Sequence, residues 1–284
     1  MKFDTPAKIS KRGIHKMKKL LALFIVASLA ALSGCDSTSP LLPENESIVV
    51  RAYLYAGEAV TDVQVTTTFG LTADDTTGLP INNATVTLEK TGKIYLLSAS
   101  RGDSGYYHYA GNDLTVNVGE VFKIAVAHNG KTATAETIIP SPPRQLTISK
   151  TELLVNTSTP FDTSSLTLNW EGEETFYFVV VENLEASPTP INQTPFPGGP
   201  RGQFRSFRSR PIRESSYSIR RLDLTYLGEH RAKVYKVNRE YANLYAFGQQ
   251  DSRNLNEPET NVKNGLGVFA GFSNTEVKFR VVKQ

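Results

Sequence analysis

The sequence predicts an all-β protein, with an immunoglobulin-like β-sandwich followed by a second β-rich domain. Three observations carry this. Short runs of β-branched and aromatic residues recur from residue 48 onward, apolar and polar residues alternating along them. Glycine-, asparagine- and proline-bearing turns separate the runs. No segment after residue 35 has apolar residues at helical spacing over a useful length.

The runs are legible in order. Ile48 to Leu54 opens the first strand, and Val63 to Thr68 alternates with β-branched residues. Ala84 to Glu89 alternates cleanly, and Lys93 to Leu97 follows a Thr91-Gly92 turn. Tyr106 to Tyr109 follows Gly105, and Leu114 to Val118 and Val121 to Ala127 flank Gly119-Glu120. Asn129-Gly130 is a strong hairpin signal and precedes Thr132 to Ile138. Strands this short and closely spaced favour a sandwich. Pro140-Ser141-Pro142-Pro143 then removes ladder donors and holds its neighbours extended, so a domain boundary is placed there.

The remainder is also strand-rich. Leu146 to Ile148, Leu153 to Val155 and Leu166 to Trp170 alternate. Phe176 to Val181 is almost continuously apolar, as in a strand buried on both faces. A long proline-, glycine- and arginine-rich insertion covers about 186–215. Strands resume at Tyr217 to Ile219, Ala232 to Val237, Leu244 to Phe247, Gly267 to Phe272 and Val277 to Val282. Arg239 to Ala246 reads alternatively as a short helix. The resulting domains are 48–140 and 144–284.

Residues 1–34 have a different chemistry. Lys11, Arg12, Lys16, Lys18 and Lys19 form a basic region ahead of Leu20 to Leu32, an uncharged and largely apolar run. That run suits the apolar core of a signal peptide and falls short of the ~20 residues of a membrane-spanning helix. Leu32-Ser33-Gly34-Cys35 resembles the lipobox of bacterial lipoproteins. Small residues let the backbone enter a peptidase, and the thiol accepts the lipid. Residues 1–34 are thus expected to be a lipoprotein signal peptide, with Met17 as an alternative start. Residues 35–47 would be a flexible tether rich in Ser, Pro and acids. Cys35 is the only cysteine, which excludes a disulfide within the monomer.

Removing the signal region changes the charge. The chain holds 31 Lys and Arg and 28 Asp and Glu, of which seven and one lie in residues 1–34. From Cys35 onward 24 basic and 27 acidic residues remain, a net charge near −3. The basic balance of the whole chain is therefore no argument for nucleic-acid binding.

No constellation of catalytic residues is visible. His108, His128 and His230 are scattered without a metal-ligand spacing, and no metal or other cofactor is expected. Asp74-Asp75 with Asn82-Asn83 reads as a solvated turn, lacking the spaced order of a calcium loop. Glu173-Glu174 are adjacent, so on a strand they would point to opposite faces and could not act as a pair. Tyr107 and Tyr109 share one face and Tyr106 the other, which places part of this trio in the core; Trp170 is expected to be core as well. Gly265-Leu266-Gly267 leads into a strand with no following Lys-Ser/Thr, which suggests a bend or bulge.

The segment Arg201 to Arg221 is unusual. It holds seven arginines (Arg201, Arg205, Arg208, Arg210, Arg213, Arg220 and Arg221) with Phe204 and Phe207, and no lysine. Guanidinium groups bind carboxylate or phosphate bidentately, and Arg201, Arg205, Arg208, Arg210 and Arg213 are a candidate patch for an anionic ligand. The bland alternative is a solvated loop whose arginines answer nearby acids.

Longer patterns add a resemblance. Gly78-Leu79-Pro80-Ile81-Asn82-Asn83-Ala84-Thr85-Val86-Thr87-Leu88 resembles the strand–turn–strand of carboxypeptidase-regulatory-like domains, and Gly105-Tyr106-Tyr107, Val118 to Ile124, Asn129-Gly130-Lys131 and Ile139-Pro140 continue it. Asn261-Val262-Lys263-Asn264-Gly265-Leu266-Gly267-Val268-Phe269 is similar to a signature of one lipoprotein group. With the lipobox, these motifs resemble the domain-of-unknown-function 4249 family. The resemblance implies an immunoglobulin-like N-terminal β-domain, a second β-domain, and a Gram-negative cell-envelope lipoprotein often encoded beside TonB-dependent transporters. It implies no activity. The expectation is a non-enzymatic binding or accessory lipoprotein of the outer membrane, held on the bilayer through acylated Cys35, with an outer-membrane transporter or an anionic glycan or lipid as partner. The alternatives are a glycan-binding or adhesin-type lipoprotein and, last, a glycoside hydrolase.

Overall fold

The computed structural model describes residues 47–68, 78–156, 162–173, 175–191, 204–246 and 260–284. Cys35 with its flanking Leu32, Ser33 and Gly34, the Asp74-Asp75 pair and Arg201 lie outside the described residues.

The fold is all-β. Its first seven strands are β1 (Ile48–Tyr55), β2 (Asp62–Thr67), β3 (Thr85–Lys90), β4 (Lys93–Ala99), β5 (Tyr106–His108), β6 (Val121–His128) and β7 (Lys131–Ile138). Next come β8 (Arg144–Ile148), β9 (Glu152–Val155), β10 (Ser165–Glu171), β11 (Phe176–Asn183), β12 (Ser206–Arg208), β13 (Ser216–Arg220), β14 (Gly228–Val237) and β15 (Leu266–Lys283). One short helix, α1 (Arg239–Ala246), precedes the last strand. Most strands lie where alternation puts them. Leu114 to Val118 is an exception: Leu114 and Val116 are buried, but the segment joins no ladder, so its alternation reflects packing alone. Residues 244–246 belong to α1, which corrects the strand expected at Leu244 to Phe247.

The large sheet runs in the order β12-β11-β14-β15-β1-β2-β5-β4-β3-β6-β7, with β9 attached to β15. It folds over so that β3, β4, β6 and β7 share a core with β1, β2 and β5; Val50, Val65, Leu88, Phe122 and Ile124 fill this sandwich. Inside it, the Tyr107 hydroxyl donates to the Ile81 carbonyl (2.8 Å) and accepts the Ala84 amide (3.0 Å), fixing the turn before β3. A smaller sheet, β13-β10-β8, encloses a second core with β11, β14 and β15, where Leu168, Trp170, Val179, Val234 and Phe279 meet.

Strand β15 joins the two bodies. It pairs parallel with β1 from Leu266 to Phe272 and antiparallel with β14 from Phe272 to Val281. Its Phe269 enters the first core and Phe279 and Val281 the second, all on one face as period-two geometry requires. The chain does change cores at 140–143, but Val262 and Phe269 return to the first. Residues 144–284 are therefore not a self-contained domain, and residues 46–284 form one compact unit. The proline segment is itself fastened: Lys236 Nζ reaches Ser141 (3.3 Å) and Glu173 (2.9 Å), and Thr275 donates to the Pro143 carbonyl (2.7 Å).

The segment Asn261 to Phe269 makes the return possible. Where β15 has left β14, the Asn261 side chain takes the place of a strand, accepting from the Phe269 amide (2.9 Å) and donating to its carbonyl (2.8 Å). Lys263 pairs with Thr134 at the free edge of β7. At Gly267, with φ +107°, the backbone lies so close to β1 that a Cβ would fall 2.0 Å from the Val50 carbonyl oxygen.

Candidate functional site: an aromatic face with stacked arginines

The opposite face of the large sheet carries a third apolar cluster. Strand β11 explains its origin. Tyr177, Val179 and Val181 point into the second core, so Phe176, Phe178 and Val180 must point the other way. The neighbouring strands bring aromatics to the same side. Phe178 lies opposite Tyr235 in the ladder, and their rings stack at 4.7 Å. Phe272 lies opposite Tyr55, stacked at 4.9 Å. Tyr53 meets Phe272 edge-on (5.6 Å), and Tyr241 descends from α1 onto Tyr53 (5.5 Å) and Phe272 (4.8 Å). Such edge-to-face and offset pairs add about 0.5–1.5 kcal/mol each beyond burial. Tyr53, Tyr55, Phe176 and Val180 remain half-buried.

Two arginines of the candidate patch lie on this face. Arg208, opposite Val180 in β12, holds its guanidinium 4.9 Å from the Phe178 ring centre and donates to the Tyr241 hydroxyl at 3.0 Å. Arg213 lies 4.6 Å from the centre of Phe176. Both side chains reach solvent. The other members part company. Arg205 donates to the Glu185 and Ala186 carbonyls, and Arg210 is exposed with no ion-pair partner among the described residues. Further along, Arg220 pairs with Asp223 at 2.9 Å, and Arg221 is buried against the Leu224 carbonyl.

Charges of both signs border the rings. Tyr55 donates to Asp62 at 3.4 Å. Burial pushes the Asp62 carboxyl up, opposed by that hydrogen bond and by Arg51 and Arg208. Burial also raises the Tyr55 phenol, Asp62 adding to it, and pushes Tyr235 up to about 12, with Glu58 contributing. Both phenols therefore stay protonated near neutrality, and Tyr55 gives its hydrogen to Asp62. Arg231 is held by Glu182 and lies 3.7 Å from Glu276.

The remaining candidates have structural roles. Asn82 accepts the Gly105 amide (2.8 Å) and donates to Asp103, so its oxygen is engaged in the turn. Glu173 is bound to Lys236, which lowers its pKa. Trp170 is buried beside Tyr177. His108 bonds Ser100 (3.0 Å). Among the described residues no His, Cys, Asp or Glu group converges as a metal site would require. His128 borders a 40 Å³ concavity, and an open cleft of 390 Å³ is lined by Glu185, Glu229 and Lys278; neither touches the aromatic face.

His230 is buried between Asn183 (3.3 Å) and the Gly228 carbonyl (3.0 Å), and stacks on Phe279. Burial lowers its pKa below 6.5, the Gly228 bond opposing this. A lowered folded-state value means that its stability contribution is present above pH ~6.5 and is lost as pH falls through the folded pKa. Thermal melts from pH 7 to pH 5 should show a steeper decline for the native chain than for His230→Gln. Parallel declines would contradict this assignment.

Tyr53, Tyr55, Asp62, Tyr235 and Tyr241 are not candidates from sequence. The available signal is Arg51-x-Tyr53-x-Tyr55, a strand whose outward positions are aromatic where a solvated face would be polar.

Comparisons with known proteins bear on family. A family model described as "Domain of unknown function (DUF4249)" matches residues 36–278. No curated protein matches the chain. Among solved structures, a run of titin domains is similar at 12% identity and a TM-score of 0.20, covering 68% of this chain and 60% of that one. A cytokine receptor complex is similar at 13% identity and a TM-score of 0.24, covering 81% and 94%.

Proposed function

The chain belongs to the domain-of-unknown-function DUF4249 family, and from that premise we propose that it is a cell-envelope lipoprotein that acts by binding rather than by catalysis. Acylated Cys35 holds it on the outer membrane. The tether from residue 36 leads into β1, and the aromatic face engages a partner protein, an outer-membrane transporter being the expected kind. The observation that carries this reading is the face itself. Tyrosine and arginine dominate interface hot spots because they offer large, rigid contact area with a polar edge. Here Tyr53, Tyr55, Arg208 and Arg213 supply that combination around a buried Phe272.

A glycan reading is favoured by one feature, the half-buried Asp62 carboxyl beside Tyr55, since hydroxyl-rich rings pair with carboxylates and stack on aromatics. The two readings separate in one experiment. Cells expressing the native chain or Cys35→Ala would be labelled with an alkyne fatty acid, crosslinked, fractionated and digested. Acyl label on Cys35 and a transporter crosslinked to the membrane fraction are the expected results. Lack of label defeats the anchoring half of the proposal. Label without any protein partner, together with binding on a glycan array, favours the glycan reading.

A further inference from the structure

The chain enters the fold at one end of the sandwich, where the Ser47 carbonyl accepts from the Thr68 amide (3.1 Å). Antiparallel order brings several connections to this end. The β6–β7 turn borders a small concavity together with Ser47 and Ile48. The β4–β5 loop ends at Gly105, whose carbonyl accepts from Val65 (2.8 Å). The segment before β3 is fastened at Leu79, whose carbonyl accepts from Thr67 (2.8 Å). The turn before β15 packs on Ile48, where a Cβ at Gly265 would fall 2.7 Å from the carbonyl oxygen. These connections carry exposed leucines and basic side chains. Leu79 is 70% exposed and Leu266 39%. Arg101, Lys131 and Lys263 are exposed as well. Asp103 is the one acid among the described residues of these connections, and it accepts from Asn82.

We infer that this end of the sandwich rests on an anionic phospholipid bilayer, with Leu79 and Leu266 at the headgroup boundary and Arg101, Lys131 and Lys263 over lipid phosphates. A lone exposed leucine is ordinary on a protein surface. Two leucines with three basic residues, gathered where the tether begins, match the composition of surfaces that lie on such bilayers. From Cys35 to Ser47 the chain can span at most about 40 Å. An acylated Cys35 therefore keeps this end close to lipid at all times, and contacts that are weak singly form at that local concentration. Contact here would hold the rings of Tyr53 and Tyr55 about 20 to 25 Å along β1 from the tether end, facing sideways toward a neighbour in the same membrane. The inference rests on the proposed acylation of Cys35 and adds the protein surface that touches the bilayer.

The test uses the full-length chain, purified from membranes and reconstituted in vesicles of phosphatidylethanolamine and phosphatidylglycerol with brominated acyl chains. Bromine quenches a tryptophan that reaches the acyl boundary. The native chain has one tryptophan, Trp170, buried in the second core and out of reach of lipid. Leu79→Trp adds a reporter at the tether end, and Leu154→Trp adds one at a 54% exposed position of β9. Bromolipid should quench the added Leu79→Trp emission at least twofold and leave the Leu154→Trp emission unchanged. Placing Arg101→Glu and Lys263→Glu beside Leu79→Trp should at least halve that quenching. Flotation with the vesicles reads anchoring separately. Floated protein in which Leu79→Trp is quenched no more than Leu154→Trp, or in which the two glutamates change nothing while the melting profile stays native, overturns the inference and leaves anchoring intact. Native chain that carries no acyl group and does not float overturns the anchoring reading, and the inference falls with it.

Discussion

Gly267→Ala should cost the protein about 3 kcal/mol or more, a large share of the roughly 5–15 kcal/mol that holds a domain folded. The new Cβ would lie 2.0 Å from the Val50 carbonyl oxygen, and the residue would sit at φ +107°. Backbone cannot yield there without opening the parallel β1–β15 ladder, which spans Val49↔Leu266 to Tyr55↔Phe272. For a chain of this size the melting temperature should fall by roughly 10 °C. Gly57→Asn is the control. Gly57 also has positive φ (+77°), but nothing lies within 4 Å of its would-be Cβ, and Asn tolerates that conformation. Its melting temperature should barely move. Equal losses would mean that backbone conformation alone, rather than closeness to β1, decides the effect.

Phe272→Ala is the second large effect. The ring is 1% exposed and touches Tyr53, Tyr55, Phe178 and Tyr241. Removing a buried aromatic costs about 3–5 kcal/mol through lost transfer energy and the cavity left behind. Phe272→Leu should recover part of this. Arg208→Gln, in contrast, loses an exposed cation–π contact worth about 0.5–1 kcal/mol and the bond to the Tyr241 hydroxyl, worth about 1 kcal/mol. Denaturant titrations should therefore rank Phe272→Ala well below both Phe272→Leu and Arg208→Gln. A small loss for Phe272→Ala would show that the cluster is a surface ornament rather than a packed layer.

Much of the architecture is legible in the sequence because the strands obey a period of two. Ile48 to Leu54, Ala84 to Glu89 and Val121 to Ala127 each bury alternate residues as read. The continuous apolar run at Phe176 to Val181 is read as buried on both faces, but only the Tyr177, Val179 and Val181 side is fully covered; on the other side Phe178 is buried while Phe176 and Val180 stay half-exposed. What local pattern misses depends on distant partners. Leu114 and Val116 alternate without a ladder; the backbone contact there comes from Gly57, donating to the Val116 carbonyl. Strand β12 is a short piece of a polar stretch and exists because β11 offers it an edge. The return of Val262 and Phe269 to the first core follows from pairing between the first strand and the last, which local pattern does not encode.

The site is half legible. The arginine content of 201–221 stands out, but composition alone cannot divide it. Arg208 and Arg213 reach aromatic rings supplied by β11, while Arg205, Arg220 and Arg221 satisfy local carbonyls and acids. Tyr53 and Tyr55 come from the first strand, far from the arginines in sequence, and complete the face only through the order β11-β14-β15-β1.

We propose that the aromatic face, rather than the outer surface of the sandwich, meets the partner. Site-specific photocrosslinking in intact cells tests it most directly. A photoreactive residue would replace Arg51 or Lys233 on the aromatic side, or Leu96 or Lys123 on the outer side of β4 and β6. Discrete protein adducts at Arg51 and Lys233, with none at Leu96 and Lys123, are the predicted result. Adducts at Leu96 and Lys123 alone would place the partner on the outer side of the sandwich instead.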